Sequence, residues 1–119
     1  MHIQQEDSRT DLGLIRVHTN AIASIASIAS LEIPGVHRIG KSLKAKIIEL
    51  VKDKGYSDIR VQISKNDEVS VDIPLFIKFG FNVPDIAAKV QENVRASLEK
   101  MTSLSVKDIN INVLGIERG

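Results

Sequence analysis

The chain contains no cysteine and no tryptophan, and aromatic residues fill only 3% of its 119 positions. Without cysteine there is no disulfide, no thiolate nucleophile and no zinc–thiolate centre, a composition that fits a reducing compartment. With so few aromatics, the core falls to Ile, Val, Leu and Ala, and platforms for stacking nucleic-acid bases are scarce. Charge of one sign is also lacking. Sixteen Lys and Arg stand against fifteen Asp and Glu, for a net charge of +1. A general nucleic-acid binder carries a strong basic excess, so no nucleic-acid partner is expected. No apolar run approaches the roughly 18 residues a membrane span needs. The polar, mixed-charge residues Met1 to Asp11 have no apolar stretch of the signal-peptide kind. The expected location is therefore cytoplasmic, with any membrane association made through a partner.

What is present is an ordinary globular composition, 43% hydrophobic and 26% charged, enough for one folded core. The expected organisation is a flexible tail over residues 1–11 and a single domain over 12–117. Leu12 to His18 reads as a strand, Ile15 and Val17 on one side, Leu14, Arg16 and His18 on the other. Thr19 can cap a helix running to about Ile33, stopped by Pro34-Gly35. A second helix is expected from about Lys41 to Lys54, with Leu43, Ile47, Leu50 and Val51 as its stripe and Gly55 past its end. Ile59, Val61 and Ile63 alternate with polar residues as a strand. Lys65-Asn66-Asp67 makes a turn, and Val69 to Phe79 alternates through Val71, Ile73, Leu75 and Ile77, completing a hairpin. Pro84 opens a third helix with Ile86, Ala87, Val90, Val94, Leu98 and Met101 on one face and an Asp85–Lys89 pair on the wet side. Val106 to Leu114 is the last strand. The fold class is α+β: a βαββαβ-like order, the first two helices counted as one broken crossover, giving a four-stranded sheet with helices packed on one face. In the strand order usual for this topology, the first strand lies between the third and the last.

One segment matches a catalytic pattern. Gly35-Val36-His37-Arg38-Ile39-Gly40-Lys41-Ser42 fits G-x-x-x-x-G-K-[ST] at every defined position, the pattern in which backbone N–H groups cradle phosphates. Its context is wrong. A phosphate loop follows a buried strand in a broad parallel sheet, whereas this one follows Pro34 and an alanine-rich helix. The segment reads as a helix–loop–helix connection with glycine at both hinges, and no nucleotide binding is expected. His2, His18 and His37 have no metal-ligand spacing. Asp67, Glu68 and Asp72 lie at a turn and on an outward strand face, without the cleft that acid–base chemistry needs. No catalytic residue, cofactor or metal ligand is assigned.

Three surfaces remain as candidates. Residues Ile22 to Ser30 repeat Ile-Ala-Ser, and no charge occurs from Asn20 to Leu31. Ile22, Ser24, Ser27, Ile28 and Leu31 therefore form a candidate self-association helix; the alternative is a helix covered within its own domain. Arg38, Lys41, Lys44 and Lys46 form a basic surface, read either as a solvated face or as a contact for an anionic partner. On the open face of the sheet, Leu14, Phe76 and Leu114 stand as apolar residues in polar surroundings. They are a candidate interaction surface, unless Gly115-Ile116-Glu117 folds over them.

From Gly13 to Ile116 the chain resembles the bacterial alkaline-shock-protein family. The resemblance rests on an ordered series: Gly13-Leu14-Ile15-Arg16-Val17, a helix with repeated Ile-Ala ending in Glu32-Ile33-Pro34-Gly35-Val36, and Glu68-Val69-Ser70-Val71-Asp72-Ile73. It continues with Phe79-Gly80-Phe81-Asn82-Val83-Pro84-Asp85-Ile86-Ala87, Val90-Gln91-Glu92-Asn93-Val94, Met101-Thr102 and the closing strand. The strand–Gly–Asn–x–Pro–helix joint and the Gln-Glu-Asn-Val run are its most specific parts. The resemblance implies a non-enzymatic cytosolic protein linked to cell-envelope and alkaline stress, without cofactor, in a family where some members are held at the membrane by a separate anchor protein. Two departures stand out: Pro74 replaces an ordinary strand-forming residue, and Val36 to Ser42 is basic where relatives are glycine-rich. The expected function is a scaffold or adaptor that binds protein partners and itself. The alternatives are a small-ligand regulatory module of βαββαβ type and, less favoured, an RNA-binding domain.

Overall fold

The structure is a computed structural model and describes residues 19–40 and 58–118. The expected strand at Leu12 to His18, the helix at Lys41 to Lys54 and the tail over residues 1–11 lie outside the described residues, as do Leu14, Lys41, Lys44 and Lys46. Helix α1 covers residues 19–31. Strands β1 (Val36–Ile39), β2 (Arg60–Ile63) and β3 (Glu68–Lys78) follow, then helix α2 (Val83–Met101) and strand β4 (Ser105–Glu117). The class is α+β, with one four-stranded sheet and both helices on one face.

Strand β3 is the spine of the sheet. On one edge it pairs antiparallel with β2 over Val69 to Asp72 and with β1 over Leu75 to Ile77, the two short strands lying end to end. On the other edge it pairs in parallel with β4 along its whole length. Two expectations are thereby corrected. The third and last strands are direct neighbours, so no first strand lies between them. And Val36 to Ile39, read as part of a helix–loop–helix connection, is a strand: Val36 and Ile39 bury against the core, and the β3 edge beyond β2 offers backbone partners that a free loop would lack.

Pro74 sits at the junction between β2 and β1. Its carbonyl accepts from the Gly40 N–H at 3.1 Å. Its missing N–H would point to that same edge, where β2 has ended at Arg60 opposite Asp72 and β1 reaches only Leu75. Proline is thus accommodated in a central strand by a break in the partner row.

The alternation expected in β3 is realised: Val69, Val71, Ile73, Leu75 and Ile77 are buried beneath the helices. Helix α2 closes over them with Ile86, Val90, Val94 and Leu98, one residue per turn along one stripe. Asn82 caps it by accepting from the Asp85 N–H at 3.0 Å, and the Thr102 N–H ends it on the Leu98 carbonyl at 2.9 Å. The Asp85–Lys89 pair forms at 3.4 Å. Met101 was expected on the buried face, but the helix ends there and the side chain is 68% exposed. In α1 the buried stripe is made of small residues, Ala23, Ala26, Ala29 and Ser30, together with Ile22. These let α1 lie close to the sheet and to α2. The helices run antiparallel: Ala21 and Ile22 lie beside Met101 and Thr102, and Ala29 lies beside Asn93.

Candidate functional site

The open face of the sheet is polar where expected: Arg60, Gln62, Lys78, Asn110 and Asn112 are exposed, and Ser70 and Asp72 are half-buried. At one end of that face an ordered cluster forms. A bulge in β1 lies between Val36, opposite Ile77, and Arg38, opposite Phe76. Two consecutive side chains, His37 and Arg38, reach Glu117. Arg38 donates from Nε and Nη2 to the two Glu117 carboxylate oxygens, each at 2.9 Å. His37 Nε2 lies 3.3 Å from the same carboxylate. The Arg38 guanidinium carbon stands 3.9 Å from the centre of the Phe76 ring. Arg38 thus spans β3, roofing an aromatic face and anchoring on the far strand. The hydrogen bond to Glu117 raises the Arg38 pKa; burial works against this and the Glu117 charge adds to it.

A second bulge, in β4, sets the other wall. Val113 lies opposite Leu75 and Gly115 opposite Phe76, which leaves Leu114 as the extra residue. A Cβ at Gly115 would sit 3.3 Å from Phe76 Cε1, so the glycine makes room for the ring. Asp58, Arg60, Asp72, Pro74, Phe76 and Leu114 border a shallow hollow of about 570 Å³.

Phe76 and Leu114 are therefore brought together, but Phe76 is not exposed, and Leu14, the third residue of the expected island, lies outside the described residues. Phe76 is only 8% exposed, beneath Arg38, while Leu114 is 45% exposed. The C-terminal segment does not fold over them either; it continues β4, and Glu117 holds the arginine that does the covering. The physical reason is the β1 strand, which carries Arg38 to the β3 edge. Arg38 is correspondingly an engaged cation, not an open basic surface. The phosphate-loop positions Val36 to Ile39 are extended and hydrogen-bonded to β3, so successive N–H groups point to opposite edges and do not converge on a phosphate. The sequence reading took His37 only as a histidine without metal-ligand spacing and Glu117 only as part of a segment that could fold over the open face; it did not bring either to Arg38. The one available signal for Glu117 was that the hydrophobic content of the last strand continues past Leu114 to Ile116.

Replacing Arg38 by Ala is expected to cost about 1–2 kcal/mol, from the lost fork to Glu117 and the uncovered ring, in a partly screened site. Arg38→Lys should recover only part of this, because an ammonium lacks the planar fork. Urea unfolding midpoints of the two variants test the ranking; equal loss in both would mean that the fork geometry contributes nothing.

On the helix side, the candidate self-association residues divide. Ile22 is buried, Ser27 is half-buried, and Ser24, Ile28 and Leu31 are exposed, Ile28 at 60%. Ile28 and Met101 line one groove between α1 and α2, about 350 Å³ in volume, with Glu32 and Lys100 also in its walls.

The most specific sequence motifs turn out to be joints between elements. Gln91 Nε2 donates to the Ile109 carbonyl at 2.6 Å, tying α2 to β4. Two residues on, Asn93 Nδ2 donates to the Ala29 carbonyl at 2.8 Å and to Glu32 Oε1 at 3.0 Å, tying α2 to α1. Gly35, at φ +107°, packs against Ile86 and Phe81 from the joint that opens α2.

These joints match a known architecture. A family profile aligns with residues 7–118, nearly the whole chain. The chain belongs to the alkaline shock protein 23 family, described by a cell envelope-related function. Among its relatives is the uncharacterized protein YqhY of Bacillus subtilis, 31% identical over 116 residues, covering 97% of this chain and 85% of YqhY. Another is the uncharacterized protein YloU of the same organism, 22% identical over 111 residues, covering 91% of this chain and 92% of YloU. The family resemblance read from the motifs is thus borne out. Among solved structures, a variant of MamM CTD superposes with a TM-score of 0.53 at 15% identity, covering 85% of this chain and 99% of that one. At that identity the likeness speaks for the fold alone.

Proposed function

We propose that this member of the envelope-related family is a non-enzymatic scaffold that works through protein–protein contacts, and that it pairs with a second copy of itself through its helix layer. The observation that carries the reading is the groove between α1 and α2. There, Ile28 of α1 and Met101 at the end of α2 are 60% and 68% exposed, and α1 has no charge from Asn20 to Leu31. Large apolar side chains grouped on one face favour a partner over water. Glu32 and Lys100 in the same groove offer opposite charges, which a two-fold pairing sets against each other. Among the described residues no group of three His, Asp or Glu is arranged to hold a metal ion. The conspicuous polar side chains, Arg38, Gln91 and Asn93, are engaged in binding the elements together.

The family's cell envelope-related function supports a place at the envelope; a protein anchor is the route this proposal gives it. Among the described residues no helix is long and apolar enough to cross a membrane.

Sedimentation equilibrium tests the pairing. The wild-type chain should sediment as a dimer, and Ile28→Glu, which places a charge in the contact, should halve the mass while leaving the circular dichroism spectrum unchanged. A wild-type chain that stays monomeric at high concentration removes the self-association half of the proposal.

A further inference from the structure

The chain has three phenylalanines, and two of them stand in water. Phe76 lies beneath Arg38, whereas Phe79 and Phe81 are exposed, Phe79 at 63%. Both flank Gly80 in the turn that leads from β3 into α2. Lys78, Phe79, Gly80, Phe81 and Asn82 are exposed in a row. Gly80 takes a φ of +97°, which turns the chain sharply, and a Cβ there would meet nothing within 4 Å. The turn is therefore a convex tip, without the walls of a groove. Ile116 of β4, opposite Ile77 and 53% exposed, adds an apolar side chain at the same end of the sheet.

Cations rim this tip. Lys78 precedes it, and the Arg118 guanidinium carbon stands 4.7 Å from the centre of the Phe79 ring. Neither makes an ion pair among the described residues. The nearby carboxylates are already matched: Glu117 holds Arg38, and Asp85 lies 3.4 Å from Lys89. The unbalanced charge at the tip is thus positive. Its backbone is engaged within the chain. The Phe79 N–H donates to the Glu117 carbonyl at 2.9 Å and the Phe81 N–H to the Lys78 carbonyl at 3.4 Å, while Asn82 caps α2. Sinking the rings into an apolar layer therefore strands few polar groups. A convex tip lacks the broad, closely fitting surface of a protein interface, but a fluid interface moulds itself to it. Apolar side chains of this kind settle at the boundary between headgroups and acyl chains, and Lys and Arg beside them meet anionic headgroups.

We propose that the Phe79-Gly80-Phe81 tip docks on the surface of an anionic phospholipid bilayer. Phe79, Phe81 and Ile116 enter the boundary between headgroups and acyl chains, and Lys78 and Arg118 pair with headgroup phosphates. This is a direct contact of the chain, additional to any protein anchor. It lies at the start of α2, about 27 Å from Met101 at the other end, and rests on no part of the helix-layer pairing.

Because the chain has no tryptophan, Phe79→Trp installs a lone reporter. Vesicles of phosphatidylglycerol should move its emission to the blue, and vesicles of phosphatidylcholine should not. Ile28→Trp, in the helix groove, should shift with neither. Co-sedimentation of the full-length chain gives the affinity. Phe79→Ser should weaken binding to phosphatidylglycerol vesicles by about tenfold or more. Lys78→Gln combined with Arg118→Gln should weaken it by about tenfold at low salt, and by less as salt screens the contact. All these side chains are exposed, and circular dichroism melting checks that each variant stays folded. A Phe79→Trp emission that no vesicle moves would overturn the proposal and leave the tip to a protein partner or to solvent. Binding that Phe79→Ser does not weaken would put the lipid contact elsewhere on the chain and count equally against it. Equal binding to phosphatidylcholine, or an equal shift from Ile28→Trp, would mean unselective adsorption and would also overturn it.

Discussion

Gly35→Ala should lower the melting temperature by about 8–20 °C. Two independent penalties meet at this residue. Its φ of +107° lies where L side chains are strained, at a cost of about 1–2 kcal/mol. The new Cβ would also lie 2.8 Å from Ile86 Cδ1 and 2.8 Å from Phe81 Cδ1. Both neighbours belong to the joint where β3 turns into α2, and Ile86 is buried, so relief requires moving the helix start. Overpacking of this kind costs about 1–3 kcal/mol. Together the two come to roughly 2–5 kcal/mol, and for a chain of this size about 4 °C is lost per kcal/mol. The Gly35 carbonyl also accepts from the Lys78 N–H at 2.7 Å, so a displaced Gly35 would loosen the entry to β1. Differential scanning calorimetry measures the shift. Phe81→Ala in the same background removes one of the two clashing side chains and should return part of the loss; if it returns none, the clash was relieved elsewhere and backbone strain accounts for the whole effect.

Asn93→Asp should cost about 2–3 kcal/mol at neutral pH and less in acid. The Asn93 amide donates to the Ala29 carbonyl and to the Glu32 carboxylate. An isosteric carboxylate loses both donations and sets a negative charge against two acceptors. Exposure of Glu32 trims the repulsion, which keeps the figure modest. The sign of the pH dependence follows from linkage. The introduced carboxyl, beside acceptors and a negative charge, has its folded-state pKa raised above its unfolded value. The destabilisation is therefore in force above the folded pKa and is relieved as pH falls toward about 4, where the protonated form can again donate a hydrogen bond. Asn93→Ala, which loses the bonds but adds no charge, should cost about 1–2 kcal/mol with no such pH dependence. Parallel unfolding curves at neutral and acid pH separate the two variants. A difference between them that does not change with pH would exclude the electrostatic account.

Much of this architecture was legible from residue patterns. Period-two alternation marked β2, β3 and β4 because each strand buries one face only. A four-residue stripe marked α2, and the Asn82-Val83-Pro84 joint marked its start. The Gln91 and Asn93 motif was visible as a family signature, though its role as a two-sided tie was not, since a sequence does not state which element flanks each side of a helix. The β1 strand was missed for a definite reason. Four residues between two glycines have little intrinsic preference, and their strand character comes from the β3 edge left vacant beyond β2. For the same cause the Arg38–Phe76–Glu117 cluster was unreadable: its members lie 38 and 41 positions apart along the chain, and a bulge in β1 and another in β4 set their meeting.

The sequence by itself determined the α+β class, the central hydrophobic strand, the long helix α2 with its start at Pro84, and the family, because these depend on local periodicity and on motifs read in order. The tertiary structure alone decided the direct pairing of β3 with β4, the covering of Phe76 by Arg38 and the exposure of Ile28 and Met101. Each of these depends on which edge or face is already occupied, a quantity set by packing between distant segments and absent from any local window of residues.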